Sequence, residues 1–519
     1  MRRSHGDAMR LVVEGVNPQE INEIIDEIVA SGGVDDGAVR EDAVRMAVAN
    51  NFLGPKRFGK LFPDLAPFRP PDLDLRRLGR AMKESVSEDP EADDSEIPAG
   101  FTYLGQFVDH DITFDQTVGF PVINDPEEIE QARTPTLDLD SLYGRGPRRQ
   151  PELYEPSTRP SRARFRIGRT SPTFDVNVAL PNDLPRTPEA TALIGDPRND
   201  ENLVVAQTHL AFLKFHNQVI ETVPQDDDDD GTATFTQAEE DRKNTPFHKA
   251  HRLVRWHYQW LVLNDFLPRL VDPNVLNDIK TNGRRFFEFQ DRPFMPLEFS
   301  AAAYRFGHSM VREIYNYNRV FTNATLSQLF TFTGGGGGAP IPSNWVIDWR
   351  KFFGVGPLNL RNFARKIDTE LTLQLHTLPG TSPGQPSSLA VRNLLRGSRI
   401  GLPRAQDVAE AMGVTPLTPA QIANGQDGQI LRDTGFDEET PLWYYILKEA
   451  EVQNGGARLG QIGGRIVGEV FFGLVEGDPN SFMSKQPNWK PRLPSQREDD
   501  FTMGDLLRLV GEINPIGGS

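Results

Sequence analysis

A histidine stands between two aspartates in the stretch Gly105–Thr117, GQFVDHDITFDQT. On a helix, Gln106, Asp109, His110 and Thr113 fall at i, i+3, i+4 and i+7 and share one face. Phe101, Leu104 and Val108 form a separate apolar stripe with the same period. A helix with one greasy face and one carrying Gln, Asp and His can line a cavity, or can show the polar face to water; taken alone, the pattern fits both. Further on, TPTLDLDSLYGRG sets Thr134, Thr136, Asp138 and Asp140 at alternate positions. An extended loop would point all four the same way. Hard oxygen donors of that kind suit calcium, although the EF-hand pattern is absent and an ordinary Thr/Asp turn reads the same. Arg198 and Glu201, at i, i+3 in GDPRNDEN, would on a surface be a plain ion pair. In PLEFSAAAYRFGHSMVREIYNYNRV, a helix would put Ala301, Tyr304, Arg305 and His308 on one face. Its small neighbours Ala301–Ala303 and Gly307 let something large approach, whether a packed helix or a ligand. Asn393 and Arg396 stand one turn apart.

The elements that must position these groups follow from periodicity and from helix breakers. Amphipathic helices are expected over 17–31, with Asn17-Pro18 as cap and first turn, and over 38–52. The Pro-rich run LFPDLAPFRPPDLDL is expected to lie as an irregular arm on the body, and residues 85–97 to form an acidic loop. Residues 118–165 have no periodic run. Asp196 and Pro197 read as cap and first residue of a helix through 222. Asp226–Asp230 reads as a solvated loop. A strongly apolar helix follows over 248–271; His248, His251 and His257 do not share the face of a zinc helix, so they read as structural. Residues 296–320 are expected to form one core helix, Trp345 and Trp349 to sit one turn apart on another, and 440–475 to be helical. Strand-like segments are few and short, and no internal repeat is found, so the fold class is mainly α.

Composition narrows the function. The chain has 519 residues, enough for a large buried core. With 56 Lys plus Arg against 73 Asp plus Glu its net charge is −17, which does not suit nucleic acid or an anionic membrane. The absence of cysteine excludes disulfides, iron–sulfur clusters, thiolate ligation and cysteine nucleophiles. The basic N-terminus lacks the apolar stretch of a secretory signal, and no run is long enough to span a membrane. A cytoplasmic location is the default expectation. Nothing in the pattern reports on oligomeric state.

The motifs GQFVDHD, TxTxDxDSLYG, GDPRNDEN, YRFGH and RGSRIGLP, in that order, resemble the animal haem peroxidase family, the peroxidase–cyclooxygenase superfamily with its bacterial members. The resemblance runs from about Phe58 to the C-terminal FTMGDLL. It implies an N-terminal extension over 1–57 and one large peroxidase domain over 58–519. It further implies haem b and calcium as cofactors, and roles for the residues that match. His110 looks like the distal histidine, Arg198 like the distal arginine, and Gln106 like the glutamine near the halide or water site. His308 looks like the proximal iron ligand, with Asn393 accepting its other N–H. Asp109 and Glu201 match the carboxylates that form ester bonds to haem methyl groups. Arg305 and Arg396 would face the propionates. Asp111, Thr134, Thr136, Asp138 and Asp140 match the calcium site, Thr136 through its main-chain carbonyl.

The implied chemistry is coherent. Splitting a peroxide needs a proton removed from one oxygen and delivered to the other, which one histidine can do in turn. A neighbouring guanidinium stabilises the charge that develops. A calcium held by Asp111 would fix the helix one residue from that histidine. The expected activity is oxidation of halides, thiocyanate or small aromatic donors by hydrogen peroxide. There are two departures. Asn202 stands where a relative with a haem sulfonium bond has Met, so no such bond is expected; RGSRIGLP replaces the family's more polar RGRDHGLP. The alternatives are a fatty-acid dioxygenase of the same superfamily and a non-enzymatic adhesion or matrix protein. The first needs a tyrosine three residues before the proximal histidine, where this chain has Arg305 and only then Tyr304. The intact His110, Arg198 and His308 speak against the second.

Overall fold

The computed structural model describes residues 57–85, 91–115, 121–129, 131–156, 162–223, 245–290, 292–378 and 386–518. The helices expected over 17–31 and 38–52, and the Asp226–Asp230 run, lie outside the described residues. What is described is mainly helical. Its principal helices are α1 (Asp72–Ala81), α2 (Gly100–Ile112), α3 (Leu203–Thr222), α4 (Pro246–Leu261), α5 (Leu389–Arg399), α6 (Leu442–Asn454), α7 (Gln461–Glu476) and α8 (Met503–Val510). The strands make three two-stranded ribbons: Phe58–Gly59 parallel to Met295–Pro296, Asp94–Pro98 antiparallel to Phe363–Arg365, and Ile314–Tyr315 antiparallel to Ala324–Thr325.

Helix α2 runs through the core. Phe101, Leu104 and Val108 are buried as the stripe predicts, together with Phe107. Phe107 stacks on Phe212 of α3 with ring centroids 4.6 Å apart and meets Tyr258 of α4 edge-on. Such pairs add roughly 0.5–1.5 kcal/mol beyond the area they bury. The helix starts where only glycine fits: a Cβ on Gly100 would come within 2.5 Å of the Phe352 carbonyl. It ends at Ile112, and Thr113 is already extended.

The Pro-rich arm does lie on the body. The Phe68 N–H donates to the Leu402 carbonyl, and Arg69 reaches the Ile123 carbonyl. Its DLDL end, however, is the first turn of α1, with Asp72 and Asp74 near the positive helix end. Part of the expected acidic loop over 85–97 pairs as a strand from Asp94. Between α4 and the short helix Leu267–Leu270 lies a π turn, Val262–Phe266. Pro268 has no N–H for the Asn264 carbonyl, and the widened turn precedes that gap.

Two expected helices do not form. Residues 296–320 comprise one α turn (Leu297–Ser300), a 3-10 segment (Ala303–His308) and then a strand and turn. Asn318 accepts from the Val320 and Phe321 N–H groups, which turns the chain back and pairs Ile314–Tyr315 with Ala324–Thr325. Trp345 and Trp349 lie on separate 3-10 turns, not on one helix. The second turn is capped by Asp348, and Trp345 stacks on Phe321 at 3.8 Å. The 440–475 region divides into α6 and α7.

Helix α7 builds the cavity wall from behind, with Phe471 packed edge-on against Tyr304. Its first N–H groups, on Ile462 and Gly463, donate to the buried Glu449 carboxylate of α6 at 3.0 Å. Burial pushes that carboxyl from 4.5 up to about 7, against the opposing pull of the N–H groups. The folded chain therefore holds a proton that the unfolded chain has released. Stability is greatest below about 4.5 and is lost as pH rises to about 7, by about 3 kcal/mol from this group. In urea melts, the stability difference between the native chain and Glu449→Gln should change by about that amount between pH 5 and pH 8, with the native chain relatively weaker at pH 8. An equal difference at both pH values would contradict it.

Candidate active site

Arg198 is the link between the distal segments. It sits on a 3-10 turn, Pro197–Asp200, whose N-cap Asp196 accepts from the Arg198 N–H at 2.9 Å. The guanidinium returns to Asp196 through Nε at 3.0 Å and Nη2 at 2.8 Å. Nη2 also donates to the carbonyls of His110 at 3.0 Å and Thr113 at 2.6 Å. These carbonyls at the end of α2 have no intrahelical partner, so Arg198 caps the helix that carries His110. The expected Arg198–Glu201 ion pair is not what forms; Asp196 takes the guanidinium because it is buried two residues away. Arg133 also binds Asp196, at 2.6 Å. Burial alone would raise the Asp196 carboxyl, but Arg198 and Arg133 outweigh it and bring it down to about 2.

A cavity of about 920 Å³ opens beside this knot. Gln106, Asp109, His110, Arg198 and Glu201 line it from the distal segments. Tyr304, Arg305, His308 and Arg396 line it from the 3-10 segment and α5. The polar face read from the sequence is thus a cavity wall, with Thr113 just past the helix end. Glu201 accepts from the Gln106 amide and lies 3.9 Å from His110 Nε2. Burial pushes its carboxyl up to about 7, partly opposed by Arg198. The Gln106 carbonyl accepts in turn from Asn202 at 2.8 Å. Asn202 also caps α3, accepting from the Val205 N–H. Asp109 accepts from the Thr113 hydroxyl at 3.0 Å. Burial, with Arg198 adding to it, lowers His110 to about 4, so the imidazole is neutral at ordinary pH.

On the other wall, His308 Nδ1 lies 2.7 Å from the Asn393 amide nitrogen. The Asn393 oxygen accepts from Arg305 at 2.8 Å. This differs from the expectation that Asn393 accepts the N–H of His308: the oxygen is taken by Arg305, so the amide presents its donor side. Arg396 pairs with Asp115 while lining the cavity. Burial, reinforced by Arg305, lowers His308 to about 3.

Behind α2, carboxylate oxygens of Asp111, Asp138 and Asp140 lie within 4.8 Å of one another. Thr136 donates to Asp138 at 2.8 Å and Thr134 to Asp140 at 3.4 Å. The loop is bent, not extended, with Leu139 left-handed at φ 61° and Asp140 opening a one-turn helix, Asp140–Tyr143. Alternation therefore does not bring the ligands together; the bend does. Asp111 further accepts from the Leu139 N–H and the Ser141 hydroxyl, a partner the spacing argument passed over. Burial and the two neighbouring carboxylates push Asp111 well above the usual range. Buried, mutually repelling hard oxygens fit a divalent cation such as calcium. The loop packs on the distal turn at Gly195, where a Cβ would meet the Ser141 carbonyl at 2.4 Å.

His248, His251 and His257 have structural partners, as expected. His248 meets the Thr245 hydroxyl, the His251 ring packs at a tilt against Tyr143, and His257 Nε2 accepts from the N–H groups of Arg492 and Leu493. Sequence reasoning missed Asn199, whose Oδ1 is 2.9 Å from His110 Nδ1. Its only signal was its place beside Arg198 in a polar run ahead of an apolar helix.

The family model for animal haem peroxidases matches residues 115–479, most of the chain. The chain belongs to the animal haem peroxidase family. The match begins after His110 and takes in Arg198, His308 and Asn393. The thyroid peroxidase of Mus musculus is 24% identical over 377 residues, covering 68% of this chain and 38% of its own length. The chain thus spans about two fifths of that relative. Peroxidase A from Dictyostelium discoideum has a similar fold, with a TM-score of 0.61 at 16% identity over 89% of this chain and 94% of its own. A fatty acid alpha-dioxygenase of Oryza sativa is also similar, with a TM-score of 0.56 at 13% identity over 86% and 78% of the two chains. No helix among the described residues is long and apolar enough to cross a membrane.

Calcium should raise the melting temperature and a chelator lower it. A hundredfold excess over the dissociation constant adds about 2.7 kcal/mol of stability. Asp111→Asn should abolish the response in a calorimetric titration; a native chain indifferent to calcium would refute the site.

Proposed function

We propose that this chain binds haem b in the 920 Å³ cavity and uses hydrogen peroxide to oxidise halides, thiocyanate or small aromatic donors. The observation that carries this is one cavity lined by His110 and Arg198 from the distal segments and by His308 from the 3-10 segment. The donor set fits the cofactor: an imidazole for the iron, and two guanidiniums, Arg305 and Arg396, for its carboxylates. Bound haem would supply an iron and a macrocycle that together give up two electrons to peroxide.

The chain's own groups do the rest. His308 would hold the haem iron through Nε2, with Asn393 its partner at Nδ1. That pairing would ask the Asn393 amide to turn its oxygen from Arg305 to the ring. His110, neutral at working pH, takes the peroxide proton at Nε2 and returns it to the departing oxygen. Arg198 stabilises negative charge on that oxygen. Gln106 and Glu201 hold a water or anion near His110. Asp109 and Glu201 are the candidate ester anchors, and Asp111 with its loop holds calcium behind His110.

A dioxygenase is less well supported. Tyr304 lines the cavity, but its hydroxyl donates to the Gly105 carbonyl at 3.1 Å and its ring stacks on Phe299 at 4.8 Å. Those contacts give the phenol a structural role.

Purified protein should show a Soret band and peroxide-dependent oxidation of bromide or guaiacol; failure to bind haem would refute the reading. His308→Ala should lose the band. If ester bonds form, native haem resists extraction by acidified organic solvent and Asp109→Val with Glu201→Ala releases it. Free extraction from the native protein would remove the ester assignment and leave the peroxidase reading intact.

A further inference from the structure

The turn that brings Arg198 to the cavity sends the next side chain the other way. Asn199 is fully buried, with Oδ1 2.9 Å from His110 Nδ1 and Nδ2 3.0 Å from His209 Nδ1. His209, on α3, is also fully buried, and its ring meets Phe107 edge-on at 5.8 Å. Among the described residues, its Nε2 has no hydrogen-bond partner. Burial brings His209 down to about 3, so it is neutral. Three buried groups from three segments therefore form one chain: His110, Asn199, His209.

We propose that Asn199 and His209 are positioning residues that set the tautomer of His110. An amide has one donor side and one acceptor side. Its Nδ2 can only donate, so His209 Nδ1 must be bare and His209 carries its proton on Nε2. That is the tautomer a free histidine side chain prefers. The amide stands with Oδ1 toward His110 and Nδ2 toward His209. Oδ1 can only accept, so His110 carries its proton on Nδ1, the tautomer that free histidine disfavours. The bare nitrogen is Nε2, on the side of Glu201 and the cavity.

The reverse arrangement would disable the site. With Nδ2 toward His110, the proton would sit on Nε2 and no lone pair would face the cavity. His110 could then donate a proton first but not accept one. The orientation of one buried amide thus decides whether His110 starts as base or acid. The inference rests on the proposed role of His110, but the tautomers can be read without turnover.

The test uses the full chain labelled with ¹⁵N-histidine, any bound haem being reduced to its diamagnetic carbonyl form. Long-range nitrogen–proton correlation distinguishes the tautomers, and His110→Gln and His209→Gln assign the two rings. The native chain should show His110 protonated on Nδ1 and His209 on Nε2. In Asn199→Asp, which has two acceptors, His110 should keep its Nδ1 proton while His209 moves its own from Nε2 to Nδ1. In Asn199→Leu, His110 should revert toward the Nε2 tautomer. The haem-loaded variant should then react with peroxide roughly 10–100-fold more slowly at unchanged haem content. His110 protonated on Nε2 in the native chain, or an Asn199→Leu spectrum unchanged at His110, overturns the proposal. A native chain that binds haem yet ignores peroxide refutes the peroxidase reading, while the tautomer spectrum still decides this one.

Discussion

One buried carboxylate holds the distal half of the cavity together. Asp196 is fully buried and binds two guanidiniums, Arg198 and Arg133. Arg198 reaches from there to the last carbonyls of α2, and Arg133 to Asp140 at 3.3 Å. One anion therefore joins the helix bearing His110, the turn bearing Arg198 and Asn199, and the loop bearing Asp138 and Asp140. Removing one partner of a buried ion pair costs roughly 3–5 kcal/mol, because the other charge stays buried and uncompensated. Here the loss would also uncap α2 and loosen three functional segments at once. Stability and geometry of the site are not separable at this point.

Helix α2 then separates two kinds of chemistry by a single residue step. Successive helical residues point about 100° apart, so His110 and Asp111 leave the helix in different directions. His110 turns to the cavity and to Asn199; Asp111 turns to Asp138, Asp140 and Ser141. Three carboxylate groups that close repel each other and want a cation. The cation they would take would sit behind the cavity wall. Its effect on the site would be to hold α2 against the loop that packs on Gly195. Asp109, the residue before His110, completes the pattern by facing the cavity. Three adjacent side chains thus divide between two environments, the cavity and the carboxylate cluster, on a helix whose apolar stripe is core.

Legibility in the sequence followed the regularity of the backbone. On α2 and α5 the period is 3.6, and the shared faces of Gln106, Asp109 and His110, and the spacing of Asn393 and Arg396, came out as read. Where the backbone has no such period, faces were misjudged. The 3-10 winding of Ala303–His308, the two separate turns bearing Trp345 and Trp349, and the bent loop from Thr134 to Asp140 each broke a periodicity argument. The residues of the YRFGH motif and Arg198 of the DPRN motif still line the cavity, because motif identity does not depend on the local helix type. What neither approach reached was partnership across long separations. Asn199 meets His110 across 89 residues, and Arg133 meets Asp196 across 63. Nothing in either local pattern marks the other member.

The two walls of the cavity are prepared to different degrees. On the distal side, Gln106, Glu201, Asn202, His110 and Asn199 each meet a partner of complementary hydrogen-bonding character. On the other side, the His308–Asn393–Arg305 series runs with the amide donor toward the imidazole. Arg305 is half-buried, and desolvation lowers its pKa, with Arg396 adding to the effect and Asp109 opposing it. A half-buried guanidinium held by the neutral oxygens of Asn393 and Ser300 is poorly compensated compared with one held by a carboxylate. Carboxylates arriving in the cavity would improve its compensation and release the Asn393 oxygen in the same event. The released oxygen could then turn to His308 Nδ1, which favours the tautomer whose Nε2 lone pair is available to a metal. On this argument anion recognition at Arg305 and ligand preparation at His308 are a single equilibrium, coupled through one amide. Its mirror on the other wall is Asn199, whose amide stands with its oxygen toward His110 and its nitrogen toward His209.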